Sequence, residues 1–229
     1  MNDITGRIKE VEEQIALIAE RCGRLSSEIE LIAVSKSQSA EAVREAFDAG
    51  QRIFGENRAQ ELIAKVPLLP SSIHWHFIGH LQKNKVRKVL PLVDLVHSVD
   101  SVELALDLDR IGSELGLFPR VLLEVNVSRE ATKFGFTPEM ARREAPQLLA
   151  LPRVQLEGLM TIAPMVDEAE EARPFFAELR TLRDRIAAEN QVDLPTLSMG
   201  MSDDFEAAIK EGATLVRLGT AIFGPRARV

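Results

Sequence analysis

Lys36 is the residue of this sequence whose type and position most clearly indicate a chemical role. It follows the apolar run LIAVS at 31–35, which is typical of a buried strand, and alternation places Ile32, Val34 and Lys36 on one face. If that face points inward, burial lowers the pKa of the lysine and favours the neutral amine that attacks a carbonyl to form a Schiff base. The alternative is a lysine at a strand end whose ammonium reaches solvent.

A second pattern is typical of phosphate binding. The segment SMGMS at 198–202 leads into an acidic helix start, and Gly219 and Thr220 close a later apolar run. Small residues let backbone N–H groups approach an anion, and the hydroxyls of Ser202 and Thr220 add donors. The alternative is that Ser202 or Asp203 only caps the helix and that the glycines only turn the chain.

Two further sets of polar residues could take part in a site. Arg217 precedes Gly219 by two residues, so it shares that strand face and projects toward a bound phosphate compound, unless it forms a structural ion pair. His74, His76 and His80 lie on one segment, without a cysteine or carboxylate partner in the pattern. We therefore predict no metal site.

The elements that must position these residues recur at regular intervals. Eight short apolar runs read as strands: 31–36, 52–57, 75–80, 95–100, 120–127, 155–162, 196–201 and 215–220. The segments between them have helical periodicity: 39–50, 59–65, 81–90, 101–116, 138–149, 167–190 and 203–212. An extra amphipathic helix over 4–22 precedes the first strand, with Ile8, Val11, Ile15 and Ile18 on one stripe.

This alternation predicts the fold. Strand and helix in strict succession imply parallel strands with right-handed crossovers, and eight units favour a closed (β/α)₈ TIM barrel over an open doubly wound sheet. No linker interrupts the order, so residues 1–229 are predicted to be one domain. Chemistry in a barrel sits at the carboxyl ends of the strands. Six predicted strands end near a polar side chain: Lys36, Asn57, His80, Asp100, Asn126 and Thr220.

Composition excludes several classes of protein. The net charge is −7, so no global positive field attracts nucleic acid or an anionic membrane. The single Cys22 cannot form an internal disulfide, and the sequence has neither a signal-peptide pattern nor an apolar run of about 18 residues. We expect a cytoplasmic protein. The sequence contains no tyrosine, so no mechanism can use a phenol of this chain.

Long motifs in the expected order resemble those of the pyridoxal phosphate homeostasis proteins, single-domain relatives of the alanine racemase N-terminal barrel. The motifs are AVSKSQ around Lys36, FGENRAQE at 54–61, WHFIGHLQKNK at 75–85, LEVNVSREATKFGF at 123–136, SMGMSDDFEAAI at 198–209 and VRLGTAIFGPR at 216–226. The resemblance covers essentially the whole chain. It implies a TIM barrel of the alanine racemase N-terminal type with an extra N-terminal helix.

The resemblance also implies a ligand and a site. Pyridoxal 5′-phosphate would form an internal aldimine with Lys36, and Arg217 would face its pyridine nitrogen. Asn57 and His80 would line the ring, and Lys133 could act as a second amine. The phosphate would be bound by Ser202, Gly219 and Thr220, with backbone help from Gly200 and Met201.

Three functions follow from these residues. The first is a protein that stores, buffers or delivers the cofactor without turnover, as a monomer making at most transient contacts with enzymes that need it. The second is a slow amino-acid racemase using Lys36 alone or with Lys133. Racemases of this barrel type supply a tyrosine from a C-terminal domain, whereas this sequence has no tyrosine and ends nine residues after Thr220. The third is a Schiff-base aldolase in which Lys36 attacks the substrate directly.

Overall fold

Eight parallel strands, each paired with its neighbour in the sequence, close into a barrel because the last strand pairs with the first. The computed structural model describes residues 3–225. The strands are β1 Glu30–Val34, β2 Ile53–Glu56, β3 His74–Phe77, β4 Leu95–Val99, β5 Arg120–Glu124, β6 Gln155–Met160, β7 Thr196–Ser198 and β8 Leu215–Leu218. The α-helices are α1 Ile4–Arg21, α2 Ala40–Asp48, α3 Ala59–Lys65, α4 Val86–Val89, α5 Val102–Leu115, α6 Pro138–Leu149, α7 Arg173–Asn190, α8 Phe205–Lys210 and α9 Thr220–Phe223. The predicted barrel is confirmed.

The barrel has two apolar cores because successive strand side chains point to opposite faces. The larger core lies between the outer strand faces and the helices and includes Phe54, Trp75 and Phe176. The smaller core fills the barrel interior and consists of Ile32, Leu95, Leu122, Met160 and Leu215. Residues two positions further along these strands continue the interior toward the carboxyl ends, so alternation also places Val34, His97, Glu124 and Arg217 inside.

The predicted N-terminal helix is present as α1. Asp3 caps it by accepting a hydrogen bond from the backbone N–H of Gly6 at 2.7 Å. Its predicted apolar stripe is buried: Ile8, Val11, Ile15 and Ile18. The helix packs against α8, α9 and α2, so it covers the seam where the last and first units of the barrel meet.

The predicted strands were too long at their carboxyl ends. The strands end at Val34, Glu56, Phe77, Val99, Glu124 and Leu218, whereas the polar residues predicted to close them lie one to three positions later, five of them in loops and Thr220 at the first residue of α9. Backbone pairing stops there because each loop turns away to enter its helix. Three predicted helices also begin late or break up: 81–90 contains only α4 flanked by 3-10 turns, 167–190 becomes helical at Arg173, and 203–212 at Phe205.

None of the helices within residues 3–225 is both long enough and apolar enough to cross a membrane.

Candidate functional site

A cavity of about 360 Å³ opens at the carboxyl ends of the strands. It brings together groups from opposite ends of the sequence: Lys36, Asn57, Met201, Ser202, Arg217, Gly219 and Thr220 line its wall. Val34, Ile78, Gly79, Ile162 and Asp203 complete the lining. Seven of the nine residues predicted to form a site therefore share one cavity. The other two, His80 and Gly200, are not among its lining residues.

The backbone on both sides of Lys36 is fixed by side chains of α3. The carbonyl oxygen of Ser35 accepts a hydrogen bond from Lys65 Nζ at 2.8 Å. Ser37 adopts a left-handed conformation, with φ of 62°, and its N–H donates to Glu61 Oε2 at 2.7 Å. A non-glycine residue in this conformation persists only where its surroundings hold it. The half-buried Lys36 side chain is thus carried on a constrained segment.

Lys65 and Glu56 form a buried ion pair behind this segment. Lys65 Nζ lies 2.6 Å from Glu56 Oε1, and the same carboxylate oxygen accepts a hydrogen bond from the Ser35 hydroxyl at 2.8 Å. Burial raises the pKa of Glu56, and the hydrogen bond and charge of Lys65 oppose that rise. The pair occupies the space between the outer face of β2 and α3.

Asn57 follows Glu56 and lines the cavity. Its Oδ1 is buried and has no hydrogen-bond partner among residues 3–225. Gly79 lies so close that a Cβ there would sit 2.3 Å from the Asn57 carbonyl oxygen and 2.7 Å from its Cα. Only glycine fits at position 79. An acceptor held this tightly and left unpaired is suited to a hydroxyl or N–H donor from a ligand.

Arg217 reaches the cavity from inside the barrel. Its Nη1 donates to Ser198 Oγ at 2.5 Å and its Nη2 donates to the carbonyl oxygen of Thr161 at 2.8 Å. Burial lowers the pKa of Arg217 to about 10, against the opposing charges of Asp204 and Glu124. The guanidinium is therefore cationic at neutral pH although its hydrogen-bond acceptors are uncharged.

The predicted phosphate segment is only partly free to bind an anion. Ser202 Oγ accepts a hydrogen bond from the Ala221 N–H at 3.4 Å, which links the loops after β7 and β8. The Met201 N–H donates to Asp204 Oδ1 at 2.6 Å, so this predicted donor is already engaged. Gly200 has φ of +95°, and a Cβ there would lie 2.7 Å from Ala208 Cβ. Gly200 therefore lets α8 pack against the loop.

His80 lies at the barrel mouth outside the cavity lining. Its Nδ1 is 2.9 Å from Asp100 Oδ2, and its ring stacks on Phe134 with centroids 4.1 Å apart. His80 is exposed, as is Phe134. This contact joins the loops after β3 and β5.

A second cavity of about 190 Å³ adjoins the first, and Ile162 lines both. Glu124, Asn126 and Lys133 contribute its polar wall. Lys133 Nζ pairs with Glu130 at 2.7 Å and bonds the Ala163 carbonyl at 3.4 Å. Burial, with a smaller contribution from Asp100, raises the pKa of Glu124 to about 7.

His74, His76 and His80, for which the sequence predicts no metal site, lie in three different environments. His74 pairs with Asp94 at 2.9 Å on the exposed side, while His76 is buried and His80 lies in the mouth. Among residues 3–225, no cluster of three His, Cys, Asp or Glu side chains is arranged to hold a metal ion.

Sequence reasoning missed three features of the site. The sequence predicts Lys65 and Glu61 only as part of a helix, although their spacing of four residues places them on one face. It predicts no role for His97, although a polar residue within LVHSV at 95–99 is unexpected in a fully buried strand. It predicts no role for Glu124 either, although Glu124 shares the strand face of Leu122.

Comparison with known proteins places the whole chain in one group. Residues 7–227 match the family described as alanine racemase, N-terminal domain. The chain is 44% identical to the pyridoxal phosphate homeostasis protein of Aquifex aeolicus, over 96% of this chain and 97% of that one. The structure of PipY from Synechococcus elongatus with PLP bound is 43% identical, with a TM-score of 0.86 over 97% of this chain and 100% of that chain.

A more distant likeness concerns the fold alone. An alanine racemase of Clostridium difficile superimposes with a TM-score of 0.73 at 18% identity, and the match covers 95% of this chain but 57% of the racemase. The barrel is thus of the alanine racemase N-terminal type, as predicted.

Proposed function

This chain belongs to the alanine racemase N-terminal domain family and, within it, to the pyridoxal phosphate homeostasis proteins, and from that premise we propose that it binds pyridoxal 5′-phosphate covalently through Lys36. We propose further that it takes part in the storage, buffering or delivery of this cofactor without robust catalysis. The aldolase alternative is not favoured, because the motifs around Lys36 are those of this family.

The observation that carries the proposal is the composition of the cavity. An amine, an unpartnered amide oxygen, a buried guanidinium and two hydroxyls converge on about 360 Å³. These groups fit the chemical parts of the cofactor: Lys36 would bond its aldehyde carbon, Asn57 Oδ1 would accept from a donor on the bound ligand, and Ser202 and Thr220 would donate to its phosphate. Gly219 and Arg217 would complete the site, with Arg217 directed at the ring nitrogen.

Arg217 also bears on the reactivity of a bound pyridoxal ring. A bound pyridoxal ring supplies an electron sink, and its strength depends on the protonation of the ring nitrogen. A guanidinium only donates hydrogen bonds, so its partner nitrogen must accept and stay unprotonated. The chain therefore weakens the sink by its own charge.

Slow racemase activity is the second candidate function. It is motivated by the racemase-type barrel and by Lys133, which lines the adjoining cavity. The contacts of Lys133 with Glu130 and the Ala163 carbonyl count against it, since its Nζ is already engaged by groups of the protein.

The test is a visible spectrum of the purified protein loaded with pyridoxal phosphate, before and after borohydride, followed by peptide mapping. We expect an absorbance band in the visible or near-ultraviolet that borohydride abolishes, and a pyridoxyl mass addition on the peptide containing Lys36. Mapping of the addition in the wild-type protein to Lys133 or another lysine in place of Lys36 would contradict the proposal.

The variant Lys36→Ala separates covalent from non-covalent binding. Because Lys36 lies in a loop rather than in a packed core, its loss should leave the circular dichroism and melting temperature close to those of wild type. We expect reversible binding through the phosphate groups to persist with reduced affinity. Lys88→Met, an exposed lysine of α4, is the matched control and should behave as wild type.

We propose that residues 1–229 form a single cofactor-binding domain, that the protein is a cytoplasmic monomer, and that it meets enzymes requiring the cofactor only transiently.

A further inference from the structure

A chain of hydrogen bonds crosses the barrel interior beneath the cavity. It begins at Arg217 on β8, whose Nη1 donates to Ser198 Oγ on β7 at 2.5 Å. Ser198 Oγ lies 2.9 Å from His97 Nδ1 on β4. His97 Nε2 in turn lies 3.0 Å from His76 Nδ1 on β3. All four side chains are buried, and His97 and Ser198 are completely inaccessible to solvent.

Both histidines are neutral at physiological pH. Burial lowers the pKa of His97 well below its ordinary value, and the charges of His76 and Arg217 lower it further. Burial lowers the pKa of His76 to about 4, with Asp94 opposing and Arg120 and His74 adding to the fall. A neutral imidazole has one N–H and one lone pair, so each ring must donate at one nitrogen and accept at the other.

Arg217 sets the direction in which all of these hydrogen bonds run. Its guanidinium can only donate, so Ser198 Oγ accepts from it. The other partner of the Ser198 hydroxyl is His97 Nδ1, and the hydroxyl proton finds an acceptor there if His97 carries its own proton on Nε2. His97 Nε2–H then donates to His76 Nδ1. In the opposite direction His97 would donate to Ser198, and the hydroxyl proton would have no acceptor among these partners.

The direction has an electrostatic consequence. Every donor points away from Arg217, so the negative end of each dipole faces the guanidinium. Ser198 Oγ and the Thr161 carbonyl oxygen together fix two of its nitrogens without contributing a negative charge. The positive charge is oriented, but no carboxylate within the described part of the chain contacts it.

We infer that Ser198, His97 and His76 are positioning residues that aim the Arg217 guanidinium into the cavity. This inference rests on the proposed function in one respect, because the group that Arg217 faces is taken to be the ring nitrogen of pyridoxal phosphate. The direction of the hydrogen bonds is a property of the protein alone, so it can be tested without the cofactor.

The first measurement is made on the cofactor-free protein. Long-range ¹H–¹⁵N correlation spectra of protein labelled in its four histidines report the protonated nitrogen of each ring. We expect His97 and His76 to be neutral with the proton on Nε2. A proton on Nδ1 of His97, or a charged His97 at neutral pH, would overturn the inference whether or not the protein binds the cofactor.

The second measurement uses protein loaded with ¹⁵N-ring-labelled pyridoxal phosphate. In the wild-type protein the ring nitrogen should resonate in the unprotonated range. His97→Leu removes the acceptor for the Ser198 hydroxyl, and we expect the ring signal to move toward the protonated range. His97→Asn restores an amide oxygen acceptor and an N–H donor at the same position, and should recover most of the wild-type shift.

His74→Asn is the matched control, since His74 lies on β3 with His76 but is exposed and paired with Asp94. It should leave the ring signal unchanged. A wild-type ring signal in folded His97→Leu would overturn the inference. Failure of the wild-type protein to bind the cofactor would instead overturn the proposed function, and the tautomer measurement would still decide the direction of the chain.

Discussion

Lys65 and Arg217 are the cations that residues 3–225 bury, and they are held in opposite ways. Lys65 lies outside the barrel wall, 2.6 Å from a carboxylate oxygen of Glu56, and also bonds a backbone carbonyl. Arg217 lies inside the barrel and bonds a hydroxyl and a carbonyl oxygen. A cation matched by a contacting anion stabilises structure, whereas a cation held by neutral acceptors keeps its charge for a ligand.

The largest expected effect tests the structural member of this pair. Lys65→Met leaves Glu56 buried without its partner, and breaking a buried pair typically costs about 3–5 kcal/mol. We expect denaturant unfolding at pH 7 to show a loss of this size, with Lys88→Met as the matched control. In Glu56→Gln/Lys65→Met no charge is left buried, so at least half of the loss should return. A loss below about 1 kcal/mol, typical of a surface pair, would remove the contrast with Arg217.

Glu124 offers the next largest effect, and its charge is one of the two that oppose the fall in the pKa of Arg217. Its pKa is raised from 4.5 to about 7, so the protonated form stabilises the fold. That contribution is complete below about pH 4.5 and is lost as pH rises through about 7. Glu124→Gln should therefore match wild type near pH 4 and exceed its stability by up to about 3 kcal/mol near pH 8.5.

Denaturant unfolding of both proteins across this range is the measurement. If Glu124→Gln were less stable than wild type at pH 8.5, Glu124 would be a necessary counter-ion of Arg217. The comparison would then fail, because both buried cations would depend on a carboxylate.

The smallest effect concerns the two hydroxyls proposed to bind the phosphate, a role that Arg217 then does not have to fill. Ser202→Ala and Thr220→Ala each remove a hydrogen bond to a charged group, typically about 1.5–3 kcal/mol. Affinity for pyridoxal phosphate should fall by about tenfold or more for each change, while affinity for unphosphorylated pyridoxal should hardly change. Calorimetric titration with both ligands checks this. Equal losses for the two ligands would place these hydroxyls away from the phosphate.

The sequence predicted the fold well because the residues of both apolar cores recur at regular intervals along the chain. The stripe of α1 and the order of eight strands followed from patterns that repeat over many residues, such as Ile8, Val11 and Ile15. Strand ends were predicted less accurately, because Lys36 and Asn57 continue the alternation after backbone pairing has stopped. Period alone does not mark where a ladder ends.

The candidate site was predicted only in part, for a different physical reason. Residue type and position after a strand were enough to predict site roles for Lys36, Ser202 and Thr220. His97 and Lys65 act through partners 101 residues and 9 residues away along the chain, at Ser198 and Glu56. The His97–Ser198 contact exists only once the barrel closes, and the Lys65–Glu56 contact only once α3 packs against β2. The engagement of the Met201 N–H by Asp204 is likewise a property of the folded loop.

The closure of the barrel has a further consequence, for behaviour at high concentration. Each of the eight described strands pairs on both sides, so none offers the row of unpaired N–H and C=O groups through which sheets of separate molecules join. Storage of the cofactor, one of the proposed roles, depends on how much of the protein can accumulate. Resistance to edge-to-edge aggregation is therefore built into the same architecture that forms the cavity.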